Sequence, residues 1–291
     1  MNNQIQGAGP RQNIFIFQIF YDAASRQSLD PAFIPLDNSA NERPDWFEFW
    51  VIRKFLKENE LKEDAWYGFL SPKFTSKTGF NSSVVLNTLE SVDQEGEVAL
   101  FSPHCPELAL FQNPFEQGEY WHPGLLRLSE EFFAKIGSSV DLKTLVTHQK
   151  TSVFSNYVIA KRAYWNEWLD LADKFFALTE APGSPFAAPT NYYADGRAPM
   201  KTFIQERFAS VILSRSTFKV VAPELIFLLS NPFYDRMREP LVACNILKEL
   251  YCRTRDPDYL ATFKKLRQHV GMYPDFEKRI ARIADETGIA R

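Results

Sequence analysis

Near the N-terminus, Ile14-Phe-Ile-Phe-Gln-Ile-Phe20 is apolar at every position but one and stops at Tyr21-Asp22. A strand with one wet face alternates apolar and polar side chains. A nearly unbroken run instead belongs to a strand buried on both faces, as in a parallel sheet covered by helices. Glu63–Ser71 (EDAWYGFLS), Glu97–Phe101 (EVALF), Val153–Ala160 and Phe218–Ala222 (FKVVA) read as further strands, with helical patterns between them. Pro44 suits the first turn of a helix that carries Trp46, Phe49, Trp50, Arg53 and Leu56 at helical spacing. Ser82–Glu90, a segment near Glu107, Leu125–Ile136, Ala163–Thr179 and Lys201–Leu213 also read as helices. Ser28–Arg43, Ser71–Phe80, Asn113–Gly124 and Ala181–Pro199 read as loops, the last long enough to serve as a lid. From about Pro240 the chain is helical, in three segments parted at Asp256-Pro257 and Tyr273-Pro274. Strands alternating with helices predict an α/β fold: a mostly parallel central sheet flanked by helices, with a helical C-terminal region. The expected organisation is a flexible N-terminus over 1–13, an α/β domain over 14–235, and helices over 236–291 packed on it.

The chain of 291 residues carries a net charge of -3, which gives no electrostatic footprint for a nucleic acid. Local basic runs occur at Lys264–Arg267 (KKLR) and Glu277–Arg282 (EKRIAR). They read as a solvated helix face, with peripheral contact to an anionic inner-membrane surface as the weaker alternative. Cys105, Cys244 and Cys252 are odd in number and lack metal-ligand spacing, as in a reducing compartment. The first residues are polar, without the apolar core of a leader, and no apolar run reaches the roughly 20 residues that span a bilayer. A cytoplasmic protein is expected.

Aromatic residues make up 15% of the chain, so some ring surface is available to line a pocket once the core is filled. There is no GxGxxG, P-loop, HExxH or GxSxG, and with four histidines a zinc cluster is not expected. Candidate chemistry therefore falls to loops at strand ends. At the end of the first strand, Tyr21 could stack on a nucleobase and Asp22 accept from a base or ribose; alternatively, Asp22 caps the next turn. Lys73, Thr75, Lys77 and Thr78 could surround a diphosphate, or form a solvated loop. Ser102-Pro103-His104 follows the third strand, with Ser102 placed to touch a donor and His104 to act as general acid or phosphate ligand. Asn113–Gly124 resembles a sugar-facing surface, and Glu116 or Glu119 is a candidate base. Asn156 is a further ligand candidate. Glu206-Arg207 sits in an apolar helix, either as a structural ion pair or with Arg207 on phosphate and Glu206 on an acceptor hydroxyl. Adjacent helical positions diverge by about 100°, so the two are not expected to serve one ligand atom.

Three pieces together, Phe17–Asp22 (FQIFYD), Ser155–Trp168 (SNYVIAKRAYWNEW) and Glu206-Arg207-Phe208, resemble bacterial surface-polysaccharide (lipopolysaccharide or capsule) glycosyltransferase-like proteins with a GT-A-type fold. The resemblance implies a nucleotide-sugar donor and a glycan acceptor. The chain departs from that family at Ser102-Pro103-His104, where a metal-binding Asp-x-Asp would fall. The expectation is thus a glycosyltransferase without a carboxylate-held divalent cation and with no cofactor besides its donor. The alternative is a non-catalytic carbohydrate- or partner-binding protein that keeps the fold.

Overall fold

The computed structural model describes residues 13–92, 95–102, 105–190 and 198–289. Six strands form one sheet: β1 (Ile14–Phe20), β2 (Ile34–Asp37), β3 (Trp66–Leu70), β4 (Val98–Leu100), β5 (Val158–Ala160) and β6 (Val220–Val221), in the order β2-β1-β3-β5-β4-β6. Helices α1 (Ala23–Gln27), α2 (Phe47–Glu58), α3 (Phe74–Thr78) and α4 (Ser82–Ser91) lie in the first third of the chain. α5 (Cys105–Leu110), α6 (Pro114–Trp121), α7 (Leu125–Lys135) and α8 (Arg162–Glu180) follow. α9 (Met200–Gln205), α10 (Phe208–Arg215) and α11 (Leu225–Leu228) precede a terminal set of α12 (Arg238–Thr254), α13 (Pro257–Arg267) and α14 (Phe276–Thr287). This is a layered, Rossmannoid-type α/β arrangement with a helical C-terminal region.

β1 is parallel to both neighbours, with Phe17 opposite Ile34 on one side and Phe69 on the other. The sheet is mostly parallel, as expected, with one exception. β5 runs antiparallel to β3 and to β4, so the sheet is mixed. Its alternation of faces is strict. Phe15, Phe17, Ile19, Tyr67, Phe69, Val98, Leu100, Val158 and Ala160 join the core that contains α2 and α8, while Ile16, Trp66, Leu70, Ala99 and Ile159 join a second core with Val85, Leu86 and Leu89 of α4. The period-2 pleat thus delivers both halves of an apolar run to separate layers. Gly68 is required here: a Cβ would sit 2.7 Å from Cγ1 of Ile159 on the neighbouring strand.

Several elements escape the sequence pattern, among them α1, α11 and the short α3 inside the Ser71–Phe80 stretch read as a loop. β2 lies in the stretch read as loop, a four-residue edge strand whose bonding comes from β1. The Asn113–Gly124 segment is helical over α6, because the Asn113 side chain accepts from the N–H of Phe115 and Glu116 and Pro114 opens the helix. The expected Val153–Ala160 strand contracts to three residues.

The C-terminal helices share the first core. Leu241, Cys244, Phe263, Phe276, Ile280 and Ile283 belong to the same cluster as Phe17 and Phe69. The basic runs are not simply solvated. Arg267 is 2% exposed and forms a bidentate pair with Glu116 at 2.7 and 3.0 Å. Arg279 lies over the Tyr120 ring at 3.8 Å and donates to the Tyr120 carbonyl. Among the described residues no helix is long and apolar enough to cross a membrane.

Candidate functional site

A cavity of about 880 Å³ opens at the sheet edge where β1 and β3 end. Ile19 and Tyr21 reach it from β1, Ser71, Pro72 and Lys73 from the turn after β3, and Phe154 and Ser155 from the approach to β5. This is the usual ligand edge of an open α/β sheet. The reversal of β5 decides which residues it contributes. Lys161 and Arg162, at the end of β5, leave at the opposite edge, where Lys161 sits over Trp66 and Arg162 donates to the Leu61 carbonyl.

The far wall is the junction of α9 and α10. The single helix expected over Lys201–Leu213 breaks at Glu206-Arg207, where Arg207 N–H turns back to the Ile204 carbonyl, a tightened i→i−3 bond. The break turns both side chains to one cavity, and the divergence expected of adjacent positions in an unbroken helix does not separate them. Neither forms the ion pair weighed above. Arg207 is 2% exposed and donates to three neutral oxygens: the carbonyls of Pro114 (2.7 Å) and Phe203 (2.5 Å) and Oε1 of Gln117 (2.6 Å). Its guanidinium has five N–H groups, so the wall holds a buried cation with donors to spare. Burial lowers its pKa to about 10, against the pull of Glu206 and Glu107, and it stays charged at neutral pH.

Glu206 is half-buried, and among the described residues nothing bonds its carboxylate. Burial pushes it up to about 7; Arg207 and Lys77 pull it down, while Glu48, also on the cavity, pushes it further up. Lys73 and Lys77 are exposed, line the same space and enter no ion pair among the described residues. His122 is stacked on Phe203 at 3.8 Å, and burial followed by the Arg207 charge lowers it to about 4.

Behind Arg207 a chain of bonds leads out to the C-terminal region. Gln117 accepts from Arg207 and donates to Glu107 at 2.7 Å, and Glu107 also accepts from Trp121 and from the Tyr273 hydroxyl. Gly118 lets Arg207 pass beneath α6, because a Cβ there would sit 2.9 Å from its Nε.

The cavity therefore brings together Tyr21, Lys73, Lys77, Glu206 and Arg207. Others lie elsewhere. Asp22 is the N-cap of α1, bonded to Ser25. Glu116 is locked in its pair with Arg267, and Glu119 caps α7 through the N–H groups of Gly124 (2.7 Å) and Leu126 (2.8 Å). Both carboxylates are corrected from base candidates to structural groups, since their lone pairs are committed inside the protein. Asn156 is half-buried beside the cavity wall but does not line it, and Ser102 lies past β4 with its hydroxyl buried. His104 lies outside the described residues. So does the centre of the Ala181–Pro199 segment, whose flanks are pinned: Phe186 is 1% exposed, and Thr190 donates to the Ala198 carbonyl at 2.6 Å.

Sequence reasoning missed Glu107 and the Asn38–Glu48 side of the cavity. Phe47 is the unusual residue there, 38% exposed with φ 48° and ψ -137°. A non-glycine residue held in such a conformation costs about 1–3 kcal/mol. No group of three or more histidine, cysteine, aspartate or glutamate side chains with metal-ligand geometry occurs among the described residues. The chain matches no known family, no curated protein and no solved structure.

Proposed function

We propose that the cavity is the active site of a glycosyltransferase of GT-A-like architecture that takes a nucleotide-sugar donor and a glycan acceptor, as in bacterial surface-polysaccharide synthesis. The observation that carries this reading is the pairing on one wall of an unbonded carboxylate, Glu206, with a buried cation bonded only to neutral oxygens, Arg207. In the reaction an acceptor hydroxyl oxygen bonds to the anomeric carbon, the bond from that carbon to the diphosphate oxygen breaks, and the hydroxyl proton passes to Glu206. A carboxyl group pushed up to about 7 suits that role, since it is basic enough to take a proton and is about half ionised at neutral pH. Arg207, Lys73 and Lys77 offset the charge that builds on the departing nucleoside diphosphate.

A thermal-shift screen against UDP-, GDP-, CMP- and dTDP-sugars, with and without Mn²⁺, tests the donor. Ligand at about 100 times its dissociation constant adds roughly 2.7 kcal/mol, a readable shift. Glu206→Gln is expected to keep the donor shift and to lose about 10²–10⁴-fold in transfer rate. No shift with any donor would leave a glycan- or partner-binding protein as the better reading.

A further inference from the structure

Two neighbouring residues of α6 treat two buried arginines differently. Glu116 takes Arg267 directly, in a fork of two bonds at 2.7 and 3.0 Å. Arg207 is buried as deeply and bonds no carboxylate among the described residues. Between it and Glu107 stands the Gln117 side chain, which accepts from Nη2 of Arg207 at 2.6 Å and donates to Oε2 of Glu107 at 2.7 Å. A carboxylate in direct contact commonly takes two N–H groups of the guanidinium fork. The amide takes one. With the Pro114 and Phe203 carbonyls, three of the five N–H groups are committed, and one is left on each terminal nitrogen.

An amide is nearly symmetric in shape but opposite in polarity at its two ends. Turned round, Gln117 would set N–H groups against a guanidinium that only donates, and an oxygen against a carboxylate that, ionised, only accepts. Both bonds would be lost inside the protein, where leaving them unmade is costly. The Glu107 carboxylate therefore dictates which end of Gln117 faces Arg207. Glu107 is pinned in turn, since its Oε1 accepts from Nε1 of Trp121 at 3.0 Å and from the Tyr273 hydroxyl at 2.7 Å. Tyr273 lies between α13 and α14, outside the lining of the cavity. Burial, followed by the Glu107 charge, pushes its hydroxyl above the usual tyrosine range, so it stays a donor.

We infer that Glu107, Gln117 and Tyr273 are positioning residues for Arg207, holding its guanidinium so that the two remaining N–H groups receive an anion. Through Tyr273 the C-terminal helices become part of the site. The inference rests on the reading of Arg207 as a group that meets the donor diphosphate, and deepens it by naming what aims that group. Charge alone predicts the opposite behaviour at one position. Glu107 lines the cavity, so removing its charge should by Coulomb attraction tighten anion binding. Acting through Gln117, its removal should weaken that binding.

The test is equilibrium binding of inorganic pyrophosphate, UDP, GDP and CDP to the full chain and to Glu107→Met, Gln117→Leu, the double variant and Tyr273→Phe, with urea midpoints to confirm folding. Glu107→Met keeps the length of the side chain and removes its charge and its acceptors. It should weaken pyrophosphate by about tenfold, the scale of one buried hydrogen bond. In the Gln117→Leu background the same substitution should leave binding unchanged or tighten it, because the connection is already cut. Tyr273→Phe changes no charge and keeps the ring, and should weaken pyrophosphate by about threefold. It carries the test if Glu107→Met does not fold. Tighter binding in Glu107→Met, an equal loss in both backgrounds, or no change in Tyr273→Phe would overturn the positioning role and leave the donor reading standing. Wild-type protein that binds neither pyrophosphate nor a nucleoside diphosphate would overturn both.

Discussion

At the scale of single residues, the site turns on two groups whose charges the fold treats in opposite ways. Burial raises the Glu206 carboxyl to about 7 and leaves the neighbouring Arg207 charged, so a proton acceptor and a permanent cation share one wall. The raised value has a definite sign for stability. The folded protein binds the Glu206 proton more tightly than the unfolded chain. Its contribution is therefore fully present below about 4.5 and is lost as pH rises through about 7. Glu206→Gln removes that loss, and the variant should gain on wild type in urea melts from pH 5 to pH 8. His122 and His148 act with the opposite sign. Burial lowers both to about 4, so they contribute stability above about 6.5 that is lost as pH falls through 4. The rate of transfer should rise with pH up to about 7 and then level, as Glu206 ionises. A flat pH profile from 5 to 8 would remove Glu206 as the base.

Among elements, α6 links the site to the rest of the protein. One side of it carries Gln117 to Arg207, and Glu116 on the same helix holds Arg267 of α13. Both Glu116 and Arg267 are at most 2% exposed, so Glu116→Ala leaves an unpaired buried cation and should cost about 3–5 kcal/mol in urea unfolding. Gly118→Ala should cost less, about 1–3 kcal/mol, because the new methyl meets Leu125 at 2.8 Å and Arg207 at 2.9 Å. It should also weaken pyrophosphate binding, since Arg207 has to move. None of this was visible in the sequence, where Gly118 and Pro123 punctuate the stretch like a loop and the Asn113 cap with Pro114 behind it is the helical signal. The elements that were legible have local causes. β1 keeps its predicted bounds because both its faces are apolar, and α12, α13 and α14 part at the expected prolines. Lys73, Lys77, Glu206 and Arg207 stood out as charges at a strand end or in an apolar helix. Phe47 did not, because no neighbouring residue announces its positive φ, and the turn before it is tied to a residue as remote as Glu180, 137 positions from Arg43.

For the molecule as a whole, the sheet and the terminal helices form one packed body among the described residues, joined through a continuous core and the Glu116–Arg267 and Tyr120–Arg279 contacts. A chain cut after Arg255 would lose α13 and α14, strand Glu116 as a buried anion and uncover Tyr120. It should lose cooperative unfolding, with no folded 14–235 fragment surviving limited proteolysis; a protected fragment of that size would show that the α/β part stands alone. Exposure is distributed as unevenly as charge. Of the six tryptophans, Trp46, Trp66, Trp165 and Trp168 are buried and Trp50 is half-buried, while Trp121 is 40% exposed on the cavity wall. The red edge of the intrinsic fluorescence therefore comes mainly from the cavity. An acrylamide titration selects that emission, and a ligand entering the site should protect it, so the protein reports its own occupancy without a label.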